Sequence, residues 1–196
     1  MKVKNILLAS SVVTLLFVGC TKTPVKTPTV TTPPTVTTPQ TTTPSTTTPN
    51  VVTTASIVNT EAAFEKAISP TGTWIIAITQ DLTINKDLVV EGEFKNGKKD
   101  TAGKDIVKRK LAPYAQDANR NITARYTLAV PKLTMKSPNG TIEHGTFKGD
   151  LYVSANGFQL IDATVDGNVY FTTDEAKSTF KMDATSKVTG KQEMKK

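Results

Sequence analysis

Two nine-residue segments in the last third of the chain repeat each other at a spacing of eighteen residues. Residues 145–153 (GTFKGDLYV) align with residues 163–171 (ATVDGNVYF), and a weaker third copy follows within residues 183–190. A repeat of about 20 residues is typical of a coil that returns the chain beside itself. The spacing therefore predicts a solenoid of stacked β-strands.

The repeat also predicts the corners and the interior of such a coil. Glycine suits a corner, because a positive φ costs little without a Cβ. Alternating apolar positions point to one face of a strand. The predicted inward residues are Phe147, Leu151, Val153, Phe158, Leu160, Val165, Val169, Phe171 and Phe180. Two hairpins of a β-sandwich would show the same alternation, but the solenoid is favoured because the unit repeats in the same sense.

A short helix is predicted ahead of the β-rich region. Thr60 can cap it, Glu61 lies in its first turn, and Ser69-Pro70 ends it. Its apolar stripe would consist of Ala62, Ala63, Phe64, Ala67 and Ile68.

The helix is followed by short β-rich runs that are separated by turn residues. These runs are residues 73–79, 82–84, 87–94, 124–130 and 132–136. The first run (TWIIAIT) is almost wholly apolar, which predicts a strand buried on both faces. Residues 55–196 should therefore form one mainly β domain.

The first twenty residues predict export. Lys2 and Lys4 precede an apolar run at residues 6–18, which is too short for the ~30 Å hydrocarbon layer and favours a signal peptide over residues 1–19. The sequence that ends at Cys20 (FVGC) resembles the lipobox of bacterial lipoproteins. This resemblance implies cleavage before Cys20, a palmitate-bearing lipid on its thiol, and an extracytoplasmic protein anchored to the cell membrane.

Residues 20–54 should link that anchor to the domain. The 34 residues at positions 21–54 include 17 Thr and 7 Pro. Such a segment buries too little apolar area to offset its ordering entropy, so we expect a disordered tether.

Positive charge is concentrated in residues 95–110, which contain seven basic and two acidic side chains. This charged, glycine-containing stretch predicts a solvated loop over residues 95–110, within a basic insertion near residues 95–123. The alternative is a patch that binds anionic lipid, teichoic acid or acidic polysaccharide. Its residues would be Lys95, Lys98, Lys99, Lys104, Lys108, Arg109 and Lys110. Export makes nucleic acid a poor partner.

Residues 60–94, with the predicted helix and first strands, resemble the first turn of pectin-lyase-like right-handed β-helix proteins. The glycine-containing repeat is similar to bactofilin-like, polymer-forming repeats, and residues 55–196 as a whole look like a clostridial-type lipoprotein family. These resemblances imply a short right-handed parallel β-helix with an N-terminal capping helix; a β-sandwich is the alternative.

The pectate-lyase resemblance implies a calcium site of clustered Asp residues with a basic residue nearby. The candidate ligands are Asp150, Asp162 and Asp166, with Lys132 or Arg125 as the base, and Asp150 and Asp166 are expected to stack on one edge because the alignment places them one pass apart. The alternative is that these Asp residues lie beside turn glycines simply because Asp favours turn geometry. Tyr152 and Tyr170 could form an exposed aromatic ladder for sugar stacking. The sole histidine, His144, is expected in an exposed loop.

Three functions remain open from the sequence. The leading one is a non-catalytic surface protein that associates with itself or another surface protein. The alternatives are a module that binds cell-wall or anionic polysaccharide, and a degenerate polysaccharide lyase. No cofactor is predicted.

Overall fold

The computed structural model describes residues 55–195; the signal peptide, Cys20 and the tether predicted within residues 1–54 lie outside the described residues. This region is mainly β, as predicted. The helices are α1 (Glu61–Ile68) and α2 (Asp174–Thr179). The strands, in chain order, are β1 (Ser56–Val58), β2 (Ile75–Ile78), β3 (Leu82–Thr83), β4 (Leu88–Val90), β5 (Lys95–Lys99), β6 (Asp105–Val107), β7 (Arg109–Ala112), β8 (Tyr114–Gln116), β9 (Ile122–Arg125), β10 (Thr127–Met135), β11 (Gly140–Glu143), β12 (Thr146–Val153), β13 (Gln159–Ile161), β14 (Thr164–Asp166), β15 (Val169–Phe171), β16 (Lys181–Met182), β17 (Lys187–Val188) and β18 (Gln192–Met194).

Helix α1 begins and ends where the sequence predicts. The Thr60 hydroxyl accepts a hydrogen bond from the Ala63 backbone N–H at 3.2 Å, as an N-cap does. Phe64 and Ile68 are buried, whereas Ala62 is exposed, because two residues turn the helix by about 200°. Neither helix within residues 55–195 is long and apolar enough to cross a bilayer.

Two parallel sheets form the body of the described region. One has six strands in the order β1-β2-β7-β11-β13-β16. The other has eight strands, with the path β17-β14-β12-β10-β3, the additional pairs β4–β10 and β12–β15, and β18 beside β15. All of these pairings are parallel. In the β-sandwich alternative, the two repeat segments would each form a hairpin, and hairpin partners are antiparallel. The strands of these segments pair in parallel instead, so the two-hairpin arrangement is wrong for them.

The repeat is confirmed in its register. Strand β12 pairs with β14 and β15 at a constant offset of eighteen residues, which places Tyr152 beside Tyr170. The third copy adds a further strand to this stack of equivalent positions, with Val188 beside Val165. Equivalent positions of successive copies are therefore neighbours in space.

The core consists of residues that alternate along these strands. Eight of the nine predicted inward residues are buried, and the ninth, Phe180, packs partly buried against them. In β2, Ile76 and Ile78 are buried but Ile75 and Ala77 are only half-buried. The prediction that this strand is buried on both faces is wrong, because only one face packs on the core.

Gly149, Gly167 and Gly190 stack at one corner. Gly149 has a φ of +134° and Gly167 a φ of +155°. A Cβ on Gly149 would overlap the Val130 carbonyl oxygen, and a Cβ on Gly167 or Gly190 would meet the carbonyl of the glycine before it. Glycine is thus required for close backbone stacking as well as for conformation.

The charged insertion is a pair of hairpins on either side of a central strand. Strands β5 and β6 form one antiparallel hairpin, and β8 and β9 form the other. Between them, β7 lies inside the six-stranded sheet, between β2 and β11. The single solvated loop predicted for residues 95–110 therefore ends before β7.

Strand β10 joins two predicted runs into one strand. Its register with β12 shifts between Ala129 and Lys132, on either side of Pro131. Proline has no backbone N–H to donate to a sheet, so it is tolerated at such an irregularity.

Candidate functional site

Arg109 lies in the core rather than in the predicted polyanion-binding patch. It is 0 % exposed. Its Nη2 donates to the carbonyl oxygens of Ala67 (2.6 Å) and Ser69 (3.2 Å) at the end of α1, and its guanidinium lies 4.0 Å above the Phe94 ring. Burial lowers the pKa of Arg109 to about 10, so it remains a cation at neutral pH. Its predicted role in surface binding is wrong, because these carbonyls and this ring enclose it.

We expect Arg109→Ala to lower the free energy of unfolding by about 2 kcal/mol, since hydrogen bonds to charged groups contribute about 1.5–3 kcal/mol. The exposed Lys98 provides the control, because Lys98→Ala should stay within about 0.5 kcal/mol. Urea unfolding of both variants measures the difference. Equal urea midpoints for the two variants would contradict a stabilising role for the hydrogen bonds of Arg109 to the end of α1.

Lys108 and Lys110 share one buried carboxylate, that of Glu143. Lys108 Nζ lies 3.1 Å from Glu143 Oε1, and Lys110 Nζ contacts Oε2. Burial raises the pKa of Glu143, but the hydrogen bond and charge of Lys110, with the charge of Lys108, outweigh it and hold that pKa below its ordinary value. These two lysines therefore form a structural ion cluster on the six-stranded sheet.

The other predicted patch residues lie on the β5–β6 hairpin. Lys95 and Lys99 both pair with Asp105, at 2.7 and 3.0 Å. Lys98 and Lys104 are exposed. The structure thus brings only part of the predicted patch together at the surface, with its charge reduced by Asp105.

Tyr152 and Tyr170 lie side by side, with ring centroids 4.9 Å apart. Tyr152 is half-buried, but Tyr170 is buried, because Lys195 Nζ lies 4.1 Å from its ring centroid. Lys132 Nζ lies 5.0 Å from the Tyr152 ring centroid. The prediction of an exposed ladder is wrong for Tyr170, since a lysine covers the position that a sugar would take.

The predicted calcium candidates do not stack on each other. Asp150 Oδ1 accepts a hydrogen bond from Asn168 Nδ2 at 2.9 Å, and Asp166 is paired in register with Lys148. Asp166 Oδ1 accepts a hydrogen bond from Thr189 Oγ1. Within residues 55–195, no group of three or more His, Cys, Asp or Glu side chains could hold a metal ion.

A second cluster lies at a corner and consists of Tyr114, Arg125, His144 and Asp162. Asp162 Oδ2 lies 2.5 Å from Arg125 Nη2 and 3.0 Å from His144 Nδ1. The His144 ring packs edge-on against Tyr114, with centroids 4.8 Å apart. The hydrogen bonds of His144 and Arg125 hold the pKa of Asp162 below its ordinary value. The cluster therefore ties the β8–β9 hairpin to the corners after β11 and β13.

His144 and Asp162 both have positive φ, at 59° and 49°. The prediction that His144 lies in an exposed loop is wrong, because it is only about a quarter exposed (26 %) and contacts the side chains of Asp162 and Tyr114. The repeat could have predicted the contact between His144 and Asp162, since these two residues are eighteen positions apart, which is the spacing of the repeat. Arg125 and Tyr114 lie outside the repeat, so spacing could not place them.

A carboxylate that orients a histidine is also the arrangement of a general base. Catalysis would further need a concave site to hold a substrate. The described region has depressions beside α1, beside Gly149 and beside Tyr114, but none of the three is lined by Arg125, His144 or Asp162. What the contacts of Asp162 with Arg125 and His144 do directly is to latch the β8–β9 hairpin to the two corners.

The lowered pKa of Asp162 makes this latch sensitive to acid. Its stabilisation is complete above the unfolded value of about 3.9 and is lost as the pH falls through the lower folded value. Asp162→Asn should cost less than about 1 kcal/mol at neutral pH, because the pair is partly solvated. Urea midpoints across an acid series should fall less steeply in the variant. Identical slopes would exclude a contribution from Asp162.

Comparison with protein-family models, curated proteins and solved structures finds no match to this chain.

Proposed function

We propose that the chain is an extracytoplasmic lipoprotein anchored through Cys20, whose residues 55–195 form a short right-handed parallel β-helix that works as a non-catalytic interaction module. The β-helix is supported by the alternation of strands between two parallel sheets. After β10, each pass of about 20 residues contributes a strand to the six-stranded sheet and then strands to the eight-stranded sheet.

The observation that carries the interaction role is the presence of open strand edges at both ends. In the described region, β1 pairs only with β2, while β16, β17 and β18 each pair with one earlier strand. Unpaired backbone groups on an edge strand accept a strand from another chain. Ile57 of β1 is 74 % exposed, which adds an apolar contact at this edge.

The charges of the two ends are complementary. Residues 55–91, around the first strands, contain five acidic and two basic side chains. Residues 180–195, around the last strands, contain four basic and two acidic side chains. Complementary charges favour one orientation of encounter, so the partner proposed here is a second copy stacked head to tail.

Sedimentation velocity over a rising protein concentration tests this assembly. We expect a concentration-dependent increase in mass that weakens with salt, because exposed charges are screened. The double variant Lys187→Glu/Lys191→Glu should reduce assembly, whereas Lys98→Glu/Lys104→Glu, with the same charge change on the β5–β6 hairpin, should not. A monomer at the highest concentration overturns the proposal.

The anchor has a separate test. In cells, the wild-type chain should be found in the membrane fraction and incorporate labelled palmitate, and Cys20→Ser should lose both properties. A Cys20→Ser chain that still carries the label would reject Cys20 as the lipid site.

The two alternative functions have weaker support. The polysaccharide module relied on seven basic residues, of which Arg109 is buried and Lys108 and Lys110 are paired with Glu143. The lyase relied on stacked Asp residues, and Asp150 lies beside Asn168 instead.

A further inference from the structure

The chain contains three Asn-Gly pairs, at residues 96–97, 139–140 and 156–157. In such a pair, the glycine backbone nitrogen can attack the asparagine side chain, because the absence of a Cβ leaves the approach open and the backbone free to adapt. The three pairs have the same local chemistry in different surroundings. Their structures therefore decide which of them reacts.

The pair at residues 139–140 is held by the sheet. Asn139 Nδ2 donates to the Val107 carbonyl oxygen at 3.1 Å. Gly140 is buried and is paired with Arg109 in the parallel ladder. Asn139 itself is exposed, but this hydrogen bond holds its amide, and the attacking Gly140 is fixed in a buried strand, which opens only rarely.

The pair at residues 156–157 has its nucleophile occupied. The Gly157 backbone N–H donates to Thr179 Oγ1 at 2.9 Å, and Asn156 Nδ2 donates to Glu175 Oε1 at 3.3 Å. Attack by the Gly157 nitrogen would require this hydrogen bond to break first. The contact from α2 therefore protects Asn156.

The pair at residues 96–97 lies on the exposed β5–β6 hairpin. The register of this hairpin shifts between Lys95 and Lys99, so the pair occupies its irregular part. Asn96 Oδ1 accepts a hydrogen bond from the Lys98 backbone N–H at 2.9 Å, so the Asn96 side chain is turned toward the backbone that follows it. Gly97 is exposed and has a φ of +77°.

The surrounding charge favours reaction at the same place. Lys95, Lys98 and Lys99 are all exposed around the pair. Positive charge stabilises a deprotonated backbone nitrogen and the carboxylate that forms later. Asn96 itself is half-buried, but the exposed nucleophile Gly97 and the surrounding positive charge favour reaction at this pair.

We propose that Asn96-Gly97 is a site of spontaneous modification, at which asparagine converts to aspartate and isoaspartate. The Gly97 nitrogen gives its proton to solvent base and bonds to Asn96 Cγ, while the Cγ–Nδ2 bond breaks and ammonia leaves. Water then opens the resulting succinimide ring at either carbonyl and supplies one oxygen to the new carboxylate. The hairpin loses one positive unit of net charge, and the isoaspartate product gains a backbone methylene.

Peptide mapping of the folded full chain after incubation in mildly alkaline heavy-oxygen water tests this site. We expect Asn96 to convert at least about tenfold faster than Asn139 or Asn156, a difference of about 1.4 kcal/mol in barrier. Conversion should incorporate one heavy oxygen and release ammonia. Faster conversion of Asn139 or Asn156, or equal rates at the three sites, overturns the proposal.

Two controls separate structure from sequence. In denaturant the three pairs should react at similar rates, because the unfolded pairs differ from one another only in the residues that flank them in sequence. Thr179→Val removes the acceptor of the Gly157 N–H and should raise the rate at Asn156 alone. An unchanged rate at Asn156 would reject protection by this hydrogen bond. The site does not depend on the proposed function, since it requires neither an anchor nor a partner.

Discussion

Glu143→Gln should lower the free energy of unfolding by about 3–5 kcal/mol, the effect of removing one partner from a buried ion pair. Glu143 is only 7 % exposed and carries Lys108, Lys110 and Thr141 on its carboxylate. The amide would leave the side chains of Lys110 and Lys108, which are 16 % and 30 % exposed, without their counter-charge. Denaturant unfolding of the two proteins measures the loss.

An exposed pair provides the matched control. Lys136 and Glu91 are 3.0 Å apart but largely solvated, so Glu91→Gln should cost less than about 1 kcal/mol. The pH dependence is a second readout. Because the folded pKa of Glu143 is lowered, its stabilisation is present above about pH 4.3 and is lost as the pH falls. If Glu143→Gln were as stable as Glu91→Gln, and if its free energy of unfolding fell with acid as steeply as that of the wild type, the large stabilisation by this cluster would be contradicted.

Gly149→Ala should cost more than about 3 kcal/mol, because it combines a backbone conformation available almost only to glycine with a steric overlap. The added Cβ would overlap the Val130 carbonyl oxygen of the neighbouring strand. Relief would require two strands of the eight-stranded sheet to separate at β10 and β12. Thermal and denaturant unfolding would show the loss, and failure to fold would be its extreme form.

Gly103→Ala distinguishes conformation from crowding. Gly103 also has a positive φ, of +77°, but a Cβ there would meet nothing within 4 Å. Its substitution should cost about 1 kcal/mol, the penalty of the left-handed conformation alone. If both variants lost equal stability, close stacking would not be the reason for glycine at position 149.

The repeat was sufficient to predict much of the fold. Spacing and alternation identified eight buried residues and the glycine corners, because a coil imposes the same requirement on every pass. The position of α1 followed from Thr60 and Ser69-Pro70, whose effects are local. Parallel pairing could not be separated from a sandwich in advance, since both show period-two alternation.

The errors arose where a side chain's role depends on a distant partner. Arg109 looks like a surface cation in a basic run, and only the carbonyls of Ala67 and Ser69 show otherwise. Glu143 gave no local signal, because its lysines are more than thirty residues away in sequence. His144 and Asp162 could have been paired by the repeat, whereas the Arg125 contact required the β8–β9 hairpin to be placed.

The constant eighteen-residue offset between β12 and its partners β14 and β15 also bears on how the domain folds. Most loop-closure entropy in β proteins is lost in joining strands that are distant in sequence, which slows folding. In the proposed β-helix, each new strand pairs with the pass completed just before it, as in one-dimensional arrays. The last passes, offset by 18 residues between β12 and β14 and by 23 between β14 and β17, can therefore form one after another as the chain lengthens from its N-terminus.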